Sequence, residues 1–340
     1  MKNLLRFSFI CEGLIIFCFA ACHSSDSGDN NTENILKKTP FATLTDSIKR
    51  FPGNAMLYFE RAELLTQNNF HEIARSDYIK CWELQKDPQI ALKYASNLSI
   101  LGNEKELLHF LQNCIALFPQ EMEFKRLLGE AYVQSGDIRQ GIALYDSLLK
   151  NDSSDFEAWF EKGRLLAQAK DTAAAILSLQ KAYSLQPVNT FALELAHLYA
   201  ETKNPKAVTI CDTVLSGDST RSLIDPFFIK GIYYSNLVQY EKAIIAFDSC
   251  ISRDWKFTDA YIEKGIALYK QKNYDAAMNI FRIAATVSNT DPDAYFWIGR
   301  CYETINKLQQ AAEYYQRAVE LDKDFPEARE ALKRVEKLID

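Results

Sequence analysis

The side chains best able to do chemistry in this sequence are eight cysteines and four histidines. The histidines, His23, His71, His109 and His197, are scattered along the chain, and none belongs to an HExxH string. No CxxC pair, GxSxG, GxGxxG or P-loop string occurs either, so the usual signatures of zinc, redox, hydrolase and nucleotide sites are missing. Since catalysis needs convergent polar groups, we expect a protein that is not an enzyme and that has no catalytic residues, metal or cofactor.

One of the cysteines, Cys22, stands in a sequence that resembles a lipid-attachment site. Lys2 and Arg6 precede a short apolar run at residues 14–21, which is typical of a secretory signal and too short to span a bilayer. Ala20 and Ala21 stand directly before Cys22 and resemble the lipobox of bacterial lipoproteins, although Phe19 departs from its usual leucine. The resemblance implies cleavage after residue 21 and acylation of Cys22. An ordinary signal peptide with an incidental cysteine is the alternative.

The cysteines beyond Cys22 do not predict a disulfide framework. Five remain after the signal and the anchor are set aside, and an odd number in an oxidising compartment argues against complete pairing. They are Cys81, Cys114, Cys211, Cys250 and Cys301. We expect buried free thiols.

The composition and net charge of the chain argue against a nucleic-acid partner. The chain has 340 residues, of which 48% are hydrophobic and 25% charged, as in ordinary folded proteins. Its formal net charge of −6 offers no basic face for a polyphosphate backbone. Nucleic acid is therefore not expected as a partner.

Internal repetition organises most of the chain. Successive glycines at positions 129, 163, 231, 265 and 299 are separated by 34, 68, 34 and 34 residues. Small and aromatic residues recur in the same register, for example Ala277 and Ala311, and Phe281 and Tyr315. A fixed period of this length is the signature of stacked helical hairpins.

The pattern resembles the tetratricopeptide repeat family, whose 34-residue unit is a helical hairpin. Matching residues in one unit are Trp159, Gly163, Leu166, Ala175, Leu179, Ala182 and Pro187. The resemblance implies an all-α fold, a right-handed superhelical solenoid of about eight hairpins. A glycine inside a helix lowers its propensity, so its recurrence indicates close approach of the two helices.

The repeat register divides the chain into five parts. We predict a lipoprotein signal peptide at 1–21, a flexible polar tether at 22–39, a capping helix at 40–52, eight repeats over 55–325 and a terminal capping helix at 326–340. The repeats begin at residues 55, 88, 122, 156, 190, 224, 258 and 292, and the fifth has the least regular boundaries.

In this family the first helices of the repeats line a concave groove, and positions 2, 5, 9 and 12 of each unit face it. The resemblance therefore points to a groove that binds a protein or peptide. The candidate residues are Phe59, Leu92, Phe160, Arg164, Phe228, Ile262, Tyr269, Phe296 and Arg300. The large residues at position 5 could instead serve only for packing. Asp225, Asp259 and Asp293 recur at position 2, where a carboxylate also favours a helix N-terminus.

Two functions follow from these observations. The first is a lipid-anchored scaffold for protein partners at the bacterial outer membrane, facing the periplasm or the cell surface, with Cys22 as its membrane attachment. The alternative is a cell-wall or glycan-associated factor that binds carbohydrate directly or through an enzyme partner, with exposed aromatic rings stacking on sugars.

Overall fold

The computed structural model describes residues 28–339, which form nineteen α-helices joined by short turns and contain no strand. The predicted all-α class of stacked helical hairpins is confirmed. No helix in this range is long and apolar enough to cross a membrane. The signal peptide predicted at 1–21 and the proposed anchor Cys22 lie outside the described residues.

The chain divides into two compact units, one ending at Leu127 and one beginning at Leu128. The boundary lies within the helix α7, Met122–Ser135. The helices before it are α1 Gly28–Leu36, α2 Ala42–Arg50, α3 Ala55–Gln67, α4 His71–Leu84, α5 Pro88–Ile100 and α6 Glu104–Leu117.

The second unit continues the alternation of first and second helices. After α7 come α8 Ile138–Asn151, α9 Phe156–Gln168, α10 Thr172–Leu185, α11 Asn189–Glu201, α12 Lys206–Gly217, α13 Asp225–Asn236, α14 Tyr240–Arg253, α15 Thr258–Lys270, α16 Tyr274–Val287, α17 Pro292–Thr304, α18 Leu308–Leu321 and α19 Pro326–Ile339. The fifth hairpin thus begins at Asn189, one residue before the predicted boundary.

The segment predicted as a flexible tether, residues 22–39, contains a helix in its C-terminal half. Residues 28–36 form α1, whose Ile35 and Leu36 are half-buried. The Thr45 hydroxyl of α2 donates to the Leu36 carbonyl oxygen at 3.0 Å. These two apolar residues give the helix a surface to pack on, which a wholly polar tether would lack.

A buried ion pair holds the first hairpin of unit 1 together. Arg61 on α3 donates from Nε and Nη2 to the two carboxylate oxygens of Asp77 on α4, at 2.7 Å each. Its Nη1 donates to Thr45 on α2 at 3.0 Å. The planar fork of a guanidinium suits this bidentate geometry. One arginine thereby fixes the capping helix and both helices of the hairpin.

The glycines of the repeat mark the points of closest approach between helices in unit 2. A Cβ built on Gly265 would lie 2.4 Å from the ring of Phe281, and one on Gly231 would lie 2.3 Å from the ring of Phe247. Gly299 meets Tyr315 in the same way at 2.7 Å. Each aromatic ring occupies the space that a side chain on the facing helix would need, so the sequence argument from close approach holds.

Successive hairpins of unit 2 are joined by a recurrent ion pair that the sequence analysis did not single out. At three of the repeat glycines, a lysine one residue before the glycine reaches an aspartate on the second helix of the preceding hairpin. The pairs are Lys162–Asp146 at 2.6 Å, Lys230–Asp212 at 2.7 Å and Lys264–Asp248 at 2.5 Å. Such partly exposed pairs contribute about 0.2–1 kcal/mol each, and they favour one register between neighbours.

All five cysteines expected to be free thiols are free and buried. Burial raises the pKa of Cys81 to about 11 and the pKa of Cys114, Cys211, Cys250 and Cys301 to about 12. Because the thiolate is the reactive form, these side chains are chemically quiet in the folded protein.

Gly265→Ala should lower the free energy of unfolding by about 1–3 kcal/mol, because its Cβ would overpack Phe281. Gly217→Ala is the matched control, since nothing lies within 4 Å of a Cβ at that position, and it should change stability by at most about 0.5 kcal/mol. Urea denaturation followed by circular dichroism measures both. Equal effects of the two substitutions would contradict the close-approach explanation, whereas partial recovery in Gly265→Ala with Phe281→Leu would support it.

Candidate functional site

The first helices of the hairpins in unit 2 form one continuous face, here called the inner face: α9, α11, α13, α15 and α17. Neighbouring first helices contact each other: α11 contacts α13, α13 contacts α15, and α15 contacts α17. Successive second helices in the described range have at most marginal contact. The first helices therefore lie closer together, on the inside of the curvature of this unit.

The position-5 side chains predicted for the groove are core residues in unit 2. Phe160, Phe228, Ile262 and Phe296 are only 7–8% exposed. The ring of Phe160 stacks on Phe191 of the next hairpin with centroids 4.4 Å apart. Phe296 contacts Phe325 at 5.0 Å. Of the two interpretations left open by the sequence, the structure favours packing for these four.

The remaining candidates fall into three situations. Phe59 and Leu92 are half-buried and belong to unit 1. Arg164 donates from Nη1 to both carboxylate oxygens of Glu161, at 3.2 and 3.1 Å. Tyr269 and Arg300 are brought together at one pocket.

An acidic strip runs along the inner face. Its members sit at positions 2 and 6 of the first helices and come from four successive hairpins. They are Glu194, Asp225, Asp259, Glu263 and Asp293. Three of them, Asp225, Asp259 and Asp293, recur with the 34-residue period of the fold.

Helix capping does not account for this strip. The side chain that caps α17 is Asp291, which accepts a hydrogen bond from the Asp293 backbone N at 3.0 Å. Neither α13 nor α15 has a side-chain cap. Burial raises the pKa of Asp225 and Asp259, whereas stabilisation by a helix N-terminus would lower it. The direction of these two pKa shifts does not fit stabilisation by a helix N-terminus.

Glu263 carries the largest perturbation in the strip. Burial, reinforced by the charges of Asp259 and Asp293 and opposed by Lys270, raises the pKa of Glu263 to about 7. Burial also raises the pKa of Glu194, with Arg164 opposing and Glu161 and Glu201 adding to the shift. Among the described residues neither Glu194 nor Glu263 has a hydrogen-bond or ion-pair partner. A cation placed here would relieve the repulsion.

A pocket of about 380 Å³ lies at the α17 end of the same face. Its lining residues are Tyr269, Arg300, Glu303, Thr304 and Arg334. The Tyr269 and Thr304 hydroxyls are 2.7 Å apart. Arg334 on α19 donates from Nε and Nη2 to both carboxylate oxygens of Glu303 at 2.9 Å each. The site therefore combines a hydroxyl pair, a neutralised ion pair and the Arg300 guanidinium.

His197 lies on α11, one of the helices of the inner face, and its imidazole is uncharged near neutral pH. Burial lowers its pKa to about 4, and its Nδ1 lies 3.9 Å from Glu201. No group of three histidine, cysteine or acidic side chains with metal-binding geometry occurs within residues 28–339.

Comparison with known proteins agrees with the geometry. The family model described as tetratricopeptide repeat matches residues 126–190 and 262–326. The chain contains tetratricopeptide repeats. No curated protein matches it in sequence.

Solved structures share the fold of these repeats. A tetratricopeptide repeat protein from Parabacteroides merdae matches with a TM-score of 0.63 at 15% identity, over 73% of this chain and 98% of that one. The APC/C hetero-tetramer Cut9–Hcn1 matches with a TM-score of 0.53 at 16% identity, over 88% of this chain and 60% of that one. At these identities the likeness concerns the fold.

The sequence analysis missed two parts of the candidate site, Arg334 and the position-6 glutamates, although a signal for both was present. Arg334 stands 34 residues after Arg300, so the repeat register places it at the same position of the terminal helix. Glu263 and Glu194 occupy position 6, which was not among the positions taken to face the groove. The 34-residue acidic period was noticed but attributed to helix ends.

Phe160→Ala should chiefly destabilise the fold, by about 3–5 kcal/mol, because the ring is buried against Phe191. Thermal and urea unfolding measure the loss. Leu177→Ala on α10 provides the control, since that side chain is 67% exposed. A Phe160→Ala protein of native stability would show that the ring is available for binding after all.

Glu263→Gln should stabilise the protein more at high pH than at low pH. The folded-state pKa of about 7 lies above the ordinary value of 4.5, so the native state binds more protons than the unfolded state in that window. Stability conferred by the protonated carboxyl is then lost as pH rises from 4.5 towards 7.

Urea unfolding at about pH 5 and about pH 8 tests this linkage, with Glu313→Gln on the exposed face of α18 as the control. Glu263→Gln should flatten the pH dependence and Glu313→Gln should not. Identical profiles for wild type and Glu263→Gln would contradict the assignment.

Proposed function

We propose that the protein is a lipid-anchored scaffold at the bacterial cell envelope, which binds a protein partner along the inner face of unit 2. Tetratricopeptide repeats are suited to protein–protein interaction. The single observation that carries the proposal is the charged inner face that these repeats form in unit 2. Its acidic strip and its arginine pocket lie on adjacent first helices. Complementary charge would orient a bound segment, while the polar pocket would fix its position.

The inner face of unit 2 exposes many polar and charged side chains, whereas an obligate interface is mostly apolar. Its large apolar side chains at position 5 are buried between hairpins, and its partly accessible groups include carboxylates, hydroxyls and guanidinium groups beside the ring of Trp297. Such a surface supports recognition by charge and hydrogen bonds more than by burial of apolar area. We therefore favour a reversible partner over a permanent subunit.

The envelope location rests on the sequence. The signal-like segment, the small residues Ala20 and Ala21 and the cysteine that follows them support acylation of Cys22. A single acylated cysteine with several chains would hold the repeats at the membrane surface without a spanning helix. The outer membrane, facing the periplasm or the cell surface, is the location that we propose.

Carbohydrate binding is the weaker candidate. It depended on aromatic rings exposed along the groove, and the position-5 rings Phe160, Phe228 and Phe296 are buried against neighbouring side chains. A ring that is covered on its face offers no platform for a sugar.

Anchoring is tested by Cys22→Ser in the native host. The substitution should leave the repeats folded and move the protein from the membrane to the soluble fraction, because the lipid attachment would be lost. Fractionation followed by immunoblotting, with Cys114→Ser as the matched control, measures the shift. Unchanged membrane association of Cys22→Ser would exclude the lipid anchor.

Partner binding is tested by a photo-crosslinking amino acid placed at Tyr269 on the inner face. Crosslinking in cells should yield a defined polypeptide adduct, whereas the same probe at Trp255, which is 63% exposed on a turn between hairpins, should not. Absence of an adduct at Tyr269, or the same adducts at both positions, would exclude the inner face as the binding surface.

A further inference from the structure

Exposed apolar side chains collect at one edge of unit 1, here called the apolar edge. The C-terminal ends of α2, α4 and α6 and the N-terminal ends of α3 and α5 form it. Its large apolar side chains, each 40–62% exposed, are Phe51, Met56, Leu84 and Leu117. Among the described residues of unit 1, only Ile100 is another large apolar side chain exposed to this extent. A single exposed leucine needs no explanation, whereas four such side chains on one edge mark a contact surface.

Packing between the helix ends shows that these positions are neighbours. Residues from the start of α3, the end of α4 and the start of α5 form one buried cluster, namely Ala55, Cys81 and Ile90. The ring of Phe118, which follows α6, lies 6.3 Å from that of Trp82 near the end of α4. Leu84 and Leu117 stand close to these packed residues in sequence, and the other two members flank the start of α3. The four side chains therefore come from one continuous edge.

Ile100 lies at the opposite edge of the same unit. It ends α5, and one turn earlier the Asn97 side-chain amide donates to the carbonyl oxygen of His71, the first residue of α4, at 3.2 Å. Phe41 at the start of α2 contacts Phe70, which precedes α4, with ring centroids 5.8 Å apart. The start of α2 therefore lies at this edge too. Ile100 thus offers an exposed apolar position that is outside the apolar edge.

Helix α1 runs back towards the apolar edge. Its C-terminal end meets the middle of α2, where the Thr45 hydroxyl donates to the Leu36 carbonyl oxygen at 3.0 Å. Earlier in α1, the hydrogen-bonded ion pair with Lys37 and the more distant charge of Lys49 lower the pKa of Glu33. A position earlier in α1 thus lies beside one later in α2, so the two helices are antiparallel. α1 therefore begins at the end of α2 that belongs to the apolar edge.

The short segment between Cys22 and α1 limits how far this edge can be from a lipid attached to Cys22. Six residues separate Cys22 from Gly28, the first residue of α1. Even when fully extended, six residues span only about 20 Å. An acyl chain on Cys22 would thus hold the start of α1, and the apolar edge beside it, close to the membrane surface.

The charged groups of the apolar edge do not oppose a lipid surface. Its basic and acidic residues include Arg50, Lys86, Glu83, Asp87 and Glu121. Glu83 is paired with Lys80 at 3.0 Å, and Asp87 accepts a hydrogen bond from the backbone N of Gln89 at 2.8 Å as the cap of α5. Because these charges nearly balance, the apolar side chains would supply the affinity for a bilayer. Basic residues interspersed with apolar ones are typical of interfacial membrane contacts.

We propose that the apolar edge of unit 1 lies on the lipid surface, with its four apolar side chains in the interface between headgroups and acyl chains. The contact orients unit 1 rather than attaching it, since the acyl group on Cys22 supplies the attachment. Because the edge consists of helix ends, the helices of unit 1 stand on the bilayer instead of lying along it. This inference rests on the lipid anchor of the proposed function.

Fluorescence quenching by labelled lipid tests the contact. An environment-sensitive fluorescent amino acid replaces Leu84, or Ile100 as the control, in the protein that carries its native Cys22. Protein purified from the host membrane is reconstituted into vesicles of phosphatidylethanolamine and phosphatidylglycerol, with or without lipid that bears a doxyl quencher near the top of its acyl chain. The quencher should reduce emission at position 84 by at least about twofold, because interfacial residues lie about 5–10 Å deep. Emission at position 100 should be unchanged.

Paired charge substitutions provide a second measurement. Phe51→Asp combined with Leu117→Asp should reduce quenching at position 84 to the level at position 100, since a carboxylate resists transfer into the interface. Ile100→Asp is the matched control and should leave quenching at position 84 unchanged. Circular dichroism should show native helix content in both proteins, because the substituted side chains are exposed.

Three results would overturn the inference. Equal quenching at positions 84 and 100 in the otherwise unchanged protein would exclude a contact specific to the apolar edge. Quenching at position 84 that survives Phe51→Asp with Leu117→Asp would exclude the apolar side chains as its cause. A blue shift at position 84 that appears only after native envelope proteins are added, without lipid quenching, would assign the edge to a protein partner.

Mass spectrometry of the same purified protein separates this inference from the proposed function. An unmodified Cys22 would overturn both the lipid anchor and the edge contact that rests on it. An acylated Cys22 without quenching at position 84 would overturn the edge contact alone, and the lipid-anchored scaffold would stand.

Discussion

The fold depends on one steric constraint, the removal of a side chain where two helices of a hairpin cross. At Gly231, Gly265 and Gly299 the facing aromatic ring fills the place of a Cβ. The glycine weakens its own helix, but the contact buries a ring completely, as with Phe247 and Phe281, and the burial of apolar area outweighs the lost propensity. Each hairpin is then thin enough for the next to stack on it, and the first helices of unit 2 come together as an inner face.

That constraint explains why the fold could be predicted from the sequence. A glycine that must meet an aromatic residue sixteen positions later leaves a visible period, and the same period assigns Phe281 and Tyr315 to the core. The ion pairs between hairpins were less visible, because Lys264 and Asp248 are ordinary surface types whose pairing depends on the stacking of two repeats. Helix α1 was not predicted, because the half-buried apolar residues at its C-terminal end, Ile35 and Leu36, are a weak signal in a polar segment.

The candidate site was predicted less well, for a physical reason. The repeat register places position 5 near the groove, but it does not show whether a ring at this position is exposed. That depends on the neighbouring residue, and here Phe191 covers Phe160 and Phe325 covers Phe296. Charge behaves differently, because carboxylates and guanidinium groups remain at the surface unless they are paired. The acidic strip and Arg300 are therefore among the groups that the packed hairpins leave accessible.

The buried thiols would have a consequence for folding in the oxidising compartment that we propose for this protein. One cysteine is enclosed in each of five hairpins, and in the folded chain none is accessible to an oxidant. A hairpin that opens in an oxidising compartment exposes its sulfur, and a disulfide formed with another opened chain would prevent it from closing again. In such a compartment folding would have to be completed before oxidation, and slow-folding or destabilised variants would accumulate as covalently linked aggregates rather than as recoverable monomers.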